Sequence, residues 1–486
     1  VPEGLKERPR HALSHELFVR AMGGVALLAW LSLHAQLAGL FGPNGLAPIE
    51  ARVAALVARD GPEAMFEAPS VFFLIGGSLA SLEAVVLLGE LAAGLLALGV
   101  LPGPLALLSF ALYLSFVSLG WPFLPLQWDT LLCEALVLAA LVGRWRGGSR
   151  PASLRDPDPV VSFVAMSLVT RLMLASGLAK LLSGDPTWRD GSALAFHHWT
   201  QPLPSPLAPW LHALPAPLHA LATYATLALE LGVPCLVLLG PRARRVSAAL
   251  SVGLMLAIGL SGNYGFFGLL TAALCLPLVD DAAILRGLPW LARVPVAAAP
   301  ARRRLPALAY GALGGLAFAQ SMGLVLPAPV QDATDRVGRL HLAGHYGLFA
   351  VMTTDRPELL LEASLEAASE GPWEAYDFAY KPGDPTRGPR WCVPHLPRLD
   401  WMLWFAALGA SEPGAAHVEP WILRLVRGLL EDRRELRGLV GRLPLGGARP
   451  RALRLVRARY RFASEGEAVW TVEERQVLAV WRRRAD

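Results

Sequence analysis

Lysine is scarce in this chain: Lys6, Lys180 and Lys381 stand against 41 arginines. Arginine keeps its proton and cannot act as a base near neutral pH, so a lysine retained against that bias is a candidate for acid–base work. Lys180 opens the stretch KLLSGDPTWRDGSALAFHHWTQ, residues 180–201, at the end of an apolar run. If its amine is partly desolvated it can serve as base or nucleophile, with Asp185 and His197 as the other candidate catalytic groups. If instead it reaches toward headgroups at the end of a membrane span, it is a snorkelling lysine with no chemistry. Position alone leaves both readings open. Arg189 and Asp190 can pair with each other or with Asp185 as a structural charge cluster. His197 and His198 are adjacent, so on a helix they point about 100° apart and suit a shared metal poorly. A site built from His197, His212 and Asp185 is conceivable, but no H-x-x-x-H spacing supports it, and no metal is expected.

The elements that must position these groups are mostly hydrocarbon. The 486 residues are 54% hydrophobic and 17% charged, with a mean hydropathy of +0.43, which excludes an ordinary soluble domain. The fold class expected is a polytopic α-helical membrane protein with about nine spans, followed by a strand-rich α+β extracytoplasmic domain. Spans are placed near 17–40, 71–100, 103–120, 128–143, 159–182, 218–239, 245–262, 265–280 and 305–326. The charged first sixteen residues run into a long apolar span without a small-residue cleavage site, so the first helix reads as retained. Glu83 and Glu90 in the second span must face protein, water or an interface.

Arginine sets the orientation. Lys6, Arg8 and Arg10, then Arg144, Arg146, Arg150 and Arg155, then Arg242, Arg244 and Arg245, and finally Arg286, Arg293, Arg302, Arg303 and Arg304 all fall on one side if there are nine spans. That side is cytoplasmic by the positive-inside rule. The domains then read as a cytoplasmic segment 1–16, a helical bundle 17–326 with extracytoplasmic loops 41–70 and 183–217, and an outer domain 327–486. Strands are expected in the last part at 347–352, 358–365, 373–380, 452–464 and 468–483, with helices near 399–409 and 420–440.

The string G-x-x-K-L-x-S-G-D-P-x-W-R around Lys180, with Gly184, Trp188 and Arg189, is followed by H-x-x-T-Q-P-x-P, which contains Thr200, Gln201 and Pro202, and by a span with Glu230. In the last third stand GLFAVMTT-x-RPE, YKPGDPTR with Lys381, and P-H-x-P-R-L-D-W-x-x-W with Arg398, Asp400, Trp401 and Trp404. Together these resemble the lipase maturation factor family over nearly the whole chain. The sequence departs from it at His198 and Trp199, where eukaryotic members tend to have Tyr-Glu. The resemblance implies a chaperone-like membrane protein, resident in the endoplasmic reticulum in eukaryotes, that brings secreted lipases to their active form. The arginine-heavy composition suggests a bacterial relative in the cytoplasmic membrane, with lipases or other exported proteins as clients and membrane lipid as a constant partner. A wider similarity links Gly177, Lys180, Leu181, Asp185, Trp188 and Gly191 to the segment around the base lysine of vitamin K-dependent carboxylases. It implies the alternative of a membrane enzyme using Lys180 as a base on a lipid-soluble quinone or a polypeptide. The cofactor, if any, is not named by the residues.

Other classes are weaker. The four cysteines, Cys133, Cys235, Cys275 and Cys392, form no C-x-x-C pair, which argues against redox and cysteine-zinc sites. Ser364, His395 and Asp400 lack a G-x-S-x-G elbow and do not make a hydrolase. No inverted repeat supports transport. The basic run GARPRALRLVRARYRF alternates as a strand, so a solvated face or anionic headgroups explain it better than nucleic acid. The helix carrying Trp401, Trp404 and Phe405 packs on the strand layer or membrane, or presents an aromatic patch to nonnative clients.

Overall fold

Backbone polar groups in hydrocarbon must be satisfied by the protein itself, and an uninterrupted apolar run of about twenty residues does this as a helix. The computed structural model describes residues 11–145, 154–293, 296–301, 303–366, 371–410, 418–464 and 468–483. Each of the nine expected spans contains a helix: α1 (Ala12–His34), α2 (Leu79–Ala97), α3 (Pro102–Leu119), α4 (Gln127–Val142), α5 (Pro159–Leu182), α6 (Ala216–Gly232), α7 (Pro241–Ser261), α8 (Phe267–Leu274) and α9 (Arg304–Ser321). Six are long and apolar enough to cross a membrane, counting α6 with its 3-10 extension to Leu239. A seventh is added if the segment from Phe267 to Gly287, bent by 116°, is one broken span. The other two are different in kind. α4 has only 16 residues, with Asp129 and Glu134 fully buried, and α9 is diluted by Pro306 and three glycines.

The second span is shorter than expected. Gly76 takes a positive φ of 77°, and Ser78 caps the helix by accepting from Ser81 N at 3.2 Å, so α2 begins only at Leu79. Glu90 faces protein, 2.8 Å from His34, whereas Glu83 is exposed. α1 and α2 pack so closely that a Cβ on Gly23 would lie 2.3 Å from Ala97 N.

One end of the bundle gathers arginines. Arg20 donates to Leu98 O, Arg144 to Gly99 O, Arg303 to the carbonyls of Ala140, Leu141 and Gly143, and Arg244 to Val237 O, while Arg304 pairs with Asp158. These residues tie off helix ends whose last carbonyls lack intrahelical partners. Lys6, Arg8, Arg10, Arg146, Arg150 and Arg302, and with them most of the 1–16 segment, lie outside the described residues. At the same end a parallel ribbon pairs β1 (Leu154–Pro157) with β2 (Val296–Ala301).

The opposite end carries the 180–201 stretch and the C-terminal region. There a four-stranded antiparallel sheet has the order β4-β3-β5-β6, with β3 (Pro357–Ser364), β4 (Glu374–Ala375), β5 (Ala452–Phe462) and β6 (Trp470–Arg482). Helix α10 (Arg398–Gly409) packs on β3, and α11 (Pro420–Leu430) follows it. Two expected strands fail. Residues 347–352 are irregular because their backbone bonds go elsewhere: Phe349 O accepts from Trp188 and Met352 N donates to Asp185. Only Glu374 and Ala375 of 373–380 pair as strand. The aromatic patch is not exposed either: Trp401 and Trp404 are buried in α10, leaving Phe405 partly open. The arginines of β5 are largely engaged, Arg454 with Glu362 at 2.6 Å and Arg459 with Asp355 at 3.0 Å, rather than presented as a free basic face.

Candidate functional site

The last turns of α5 and the last turns of α6 meet at Gly177. A Cβ there would stand 2.8 Å from Leu231 Cδ2 and 3.0 Å from Glu230 Cβ, so a larger residue would have to push the Leu231 side chain aside to keep this approach. The approach delivers Glu230 to Lys180, whose Nζ lies 2.9 Å from both carboxylate oxygens and 3.3 Å from Ser176 O. Both side chains are buried, and the indole of Trp188 lies 5.3 Å from the ammonium. Lys180 therefore neither snorkels nor stands alone; it is half of a buried ion pair.

The turn that follows is built for shape. Gly184 and Gly191 take positive φ values of 79° and 81° on either side of the short helix Pro186–Asp190. Asp185 caps that helix, accepting from Thr187 N and Oγ1, each at 2.8 Å, and from Met352 N. Asp190 accepts from Ser192 N and Oγ. Both acids are thus taken by local turns, and the ion-pair cluster expected of Asp185, Arg189 and Asp190 does not form; the Arg189 side chain is exposed. The capping carboxylate of Asp185 is committed to backbone, whereas Lys180 and His197 line a common cavity.

The helix Ala193–Thr200 presents His197 and His198. Gln201 Nε2 donates to Ser261 O at 2.9 Å, so its Oε1 is the acceptor for Tyr264 Oη–H at 2.7 Å. The phenol has one proton, already given to Gln201, so at 2.8 Å it accepts from His197 Nε2–H. That fixes the tautomer and leaves His197 Nδ1 as a bare acceptor without a protein partner. Gln201 sits so tightly that a Cβ on Gly262 would stand 1.8 Å from its Oε1. Burial pushes His197 down to about 3, helped by His198 and Lys180, and His198 down to about 4, helped by His219 and His212. His212 turns to Ala195 O at 3.2 Å, away from Asp185. Among the described residues no group of three His, Cys, Asp or Glu side chains is placed to hold a metal ion.

Lys180, Glu230, His197, His198 and His219 together line a cavity of about 250 Å³ whose remaining walls are largely aliphatic and aromatic. Leu348, Phe349 and Met352 close it from the C-terminal region, with the Phe349 ring 4.7 Å from His197.

Around this cavity the two regions are bolted together. The fully buried Arg356 donates to the carbonyls of Trp199, Gln201 and Pro202 and pairs with Glu358 at 2.8 Å. Lys381 Nζ holds the other oxygen of Glu358 at 2.9 Å. Trp404 Nε1 donates to Thr200 O at 2.9 Å. Asp400, its carboxyl pushed up by burial, accepts from Tyr380 N and Lys381 N. Arg398 grips Asp129 of α4 with two bonds of 2.7 and 2.9 Å, and Trp401 stacks edge-on against Trp128 at 5.0 Å. Glu134, also on α4, joins Arg171, Tyr310, Tyr346 and Gly344 N in one buried cluster.

Two family signatures account for both regions. Residues 13–286 match the lipase maturation factor transmembrane domain, and residues 342–486 match the lipase maturation factor C-terminal domain. The chain belongs to the lipase maturation factor family. It is 31% identical to lipase maturation factor 2 of Homo sapiens over 94% of this chain and 80% of that protein. It is also 31% identical to lipase maturation factor 1 of Bos taurus, over 95% of this chain and 87% of that protein. No solved structure matches. For this lipase maturation factor relative, most of the signature residues picked out in the sequence fall in two places, the Lys180 cavity and the seam that Arg398, Lys381 and Trp404 close, while Gly184 and Arg189 sit exposed in the turn between them. Sequence reasoning missed the partnership of Lys180 with Glu230, and it passed over Asp129, Glu134, Tyr264 and Phe349. For the two acids a signal existed, since a carboxylate inside an apolar span must find a partner.

Proposed function

We propose that this protein is a membrane-embedded maturation factor for exported proteins, lipases foremost. The observation that carries the reading is similarity along nearly the whole chain to proteins named lipase maturation factors. The bolted seam supports it from the physical side, since it makes bundle and C-terminal region one rigid platform for a client. We further read all nine helices as crossings, the arginine end as cytoplasmic and the sheet region as extracytoplasmic. The gathering of described arginines at one end supports this orientation, and the arginine-rich composition supports a bacterial cytoplasmic membrane. The domain division at 17–326 and 327–486 follows from the same reading. The names of these relatives lend nothing to the carboxylase-like alternative.

The test is coexpression of a secreted lipase with the wild type, Lys180→Arg and Lys180→Met. Wild type should raise the yield of active lipase. Lys180→Arg should retain most of that gain, because arginine can still answer Glu230. Lys180→Met should lose it, because a buried carboxylate left without its partner costs about 3–5 kcal/mol. No gain with wild type overturns the maturation reading, and a folded but inactive Lys180→Arg would instead restore a base role.

A further inference from the structure

Among the described residues, none covers the opening of the cavity around Lys180 between α6 and α7. Leu218 and Ala222 of α6 line it from one side and Ala257 of α7 from the other, and all three are exposed on the bundle flank. α6 and α7 are the least covered of the long apolar helices, with 33% and 28% of their apolar windows buried, so this flank faces hydrocarbon when the bundle is in a bilayer. What enters here comes sideways, from lipid.

The inner end is polar but carries no net charge. Glu230 cancels Lys180 at 2.9 Å, and burial keeps His197 and His198 neutral. A phosphate or carboxylate head would find no uncompensated cation and would lose its hydration. An uncharged head meets no such cost. His197 and His198 are both more than nine-tenths buried, and each leaves Nδ1 without a protein partner. For His197 the hydrogen-bond network makes that atom an acceptor, so the missing group is a donor, such as a hydroxyl. Sites that enclose a whole small ligand span roughly 300–1,000 Å³. At about 250 Å³ this one holds a head and the first carbons, with the tail left between α6 and α7.

We propose that this cavity binds the head of an uncharged, hydroxyl-bearing membrane lipid, of the diacylglycerol type, which enters laterally between α6 and α7. The inference stands on the cavity and not on the identity of the client.

The full chain, reconstituted in phosphatidylcholine nanodiscs, is exposed to a photoactivatable diacylglycerol with its diazirine high on one acyl chain, and crosslinked peptides are mapped. Crosslinks should fall in α5, α6 and α7 beside the cavity. Ala222→Trp and Ala257→Trp, which fill the opening from opposite lips at lipid-facing positions, should each cut the yield at least about fivefold, equivalent to ~1 kcal/mol of binding, with unchanged melting temperature. A phosphatidic acid probe with the same chains should label these residues more weakly. Equal labelling of wild type and both tryptophan variants overturns the proposal. So does labelling by the phosphatidic acid probe that matches or exceeds that by diacylglycerol.

Discussion

Burying an imidazole favours its neutral form, because the charged form loses its water. His197 and His198 sit at about 3 and about 4 for that reason, against an ordinary 6.5. Unfolded chains take up these protons below pH 6.5, and the folded protein refuses them. Stability from both groups is therefore complete above pH 6.5 and is lost as pH falls toward their folded values, by about 2 kcal/mol per histidine at pH 5. The melting temperature of the detergent-solubilised protein should drop between pH 7 and pH 5, and His197→Gln should make that drop shallower. Identical slopes for the two proteins would contradict the assignment of His197 as buried and neutral. At this scale the sequence pointed to the right place for an incomplete reason. Lys180 drew attention because lysine is rare, but its chemistry is set by Glu230, 50 residues away. Contact between those two depends on how α5 crosses α6, and composition does not encode a crossing.

Helices were the most legible elements, since hydrocarbon length and apolar run coincide. The errors came where a local device overruled the run. Gly76 and Ser78 broke the second span early, and the 347–352 segment gave its backbone bonds to Trp188 and Asp185 instead of a neighbouring strand. Alternation of side chains reports a preference for strand, yet a strand also needs a free edge to pair with. Close helix packing was equally hidden. Gly23 of α1 faces the backbone of α2 with no room for a methyl group, as small residues do where membrane helices touch. Gly23→Ala should force α1 and α2 apart and cost about 1–3 kcal/mol, the usual range for overpacking. A lower unfolding midpoint in a graded denaturant series would show it. Gly24→Ala, one position along and facing open space, is the control and should change little.

Across the whole molecule, bundle and sheet region share one polar seam, and its most sensitive member is the Arg398–Asp129 pair. Both groups are almost entirely buried, so removing one strands the other. Arg398→Met should destabilise the protein by about 3–5 kcal/mol, and Asp129→Leu placed with it should recover part of the loss. Thermal melts of the two variants check this; a double variant no more stable than the single would mean the pair is not isolated from its surroundings. The seam was legible in the sequence only as scattered signature residues, because the bonds that cross it join positions more than 150 residues apart. Its two halves also differ in kind. Arg398 depends on a particular side chain, Asp129, whereas Arg356 and Trp404 draw on backbone carbonyls of residues 199–202. A carbonyl survives any substitution that keeps the local backbone path. His198, whose side chain lines the cavity, can therefore vary without loosening the joint, whereas Trp199 also meets Arg461 of β5 with its ring at 5.6 Å; the face turned toward the cavity is free to diverge while the architecture that holds it stays fixed.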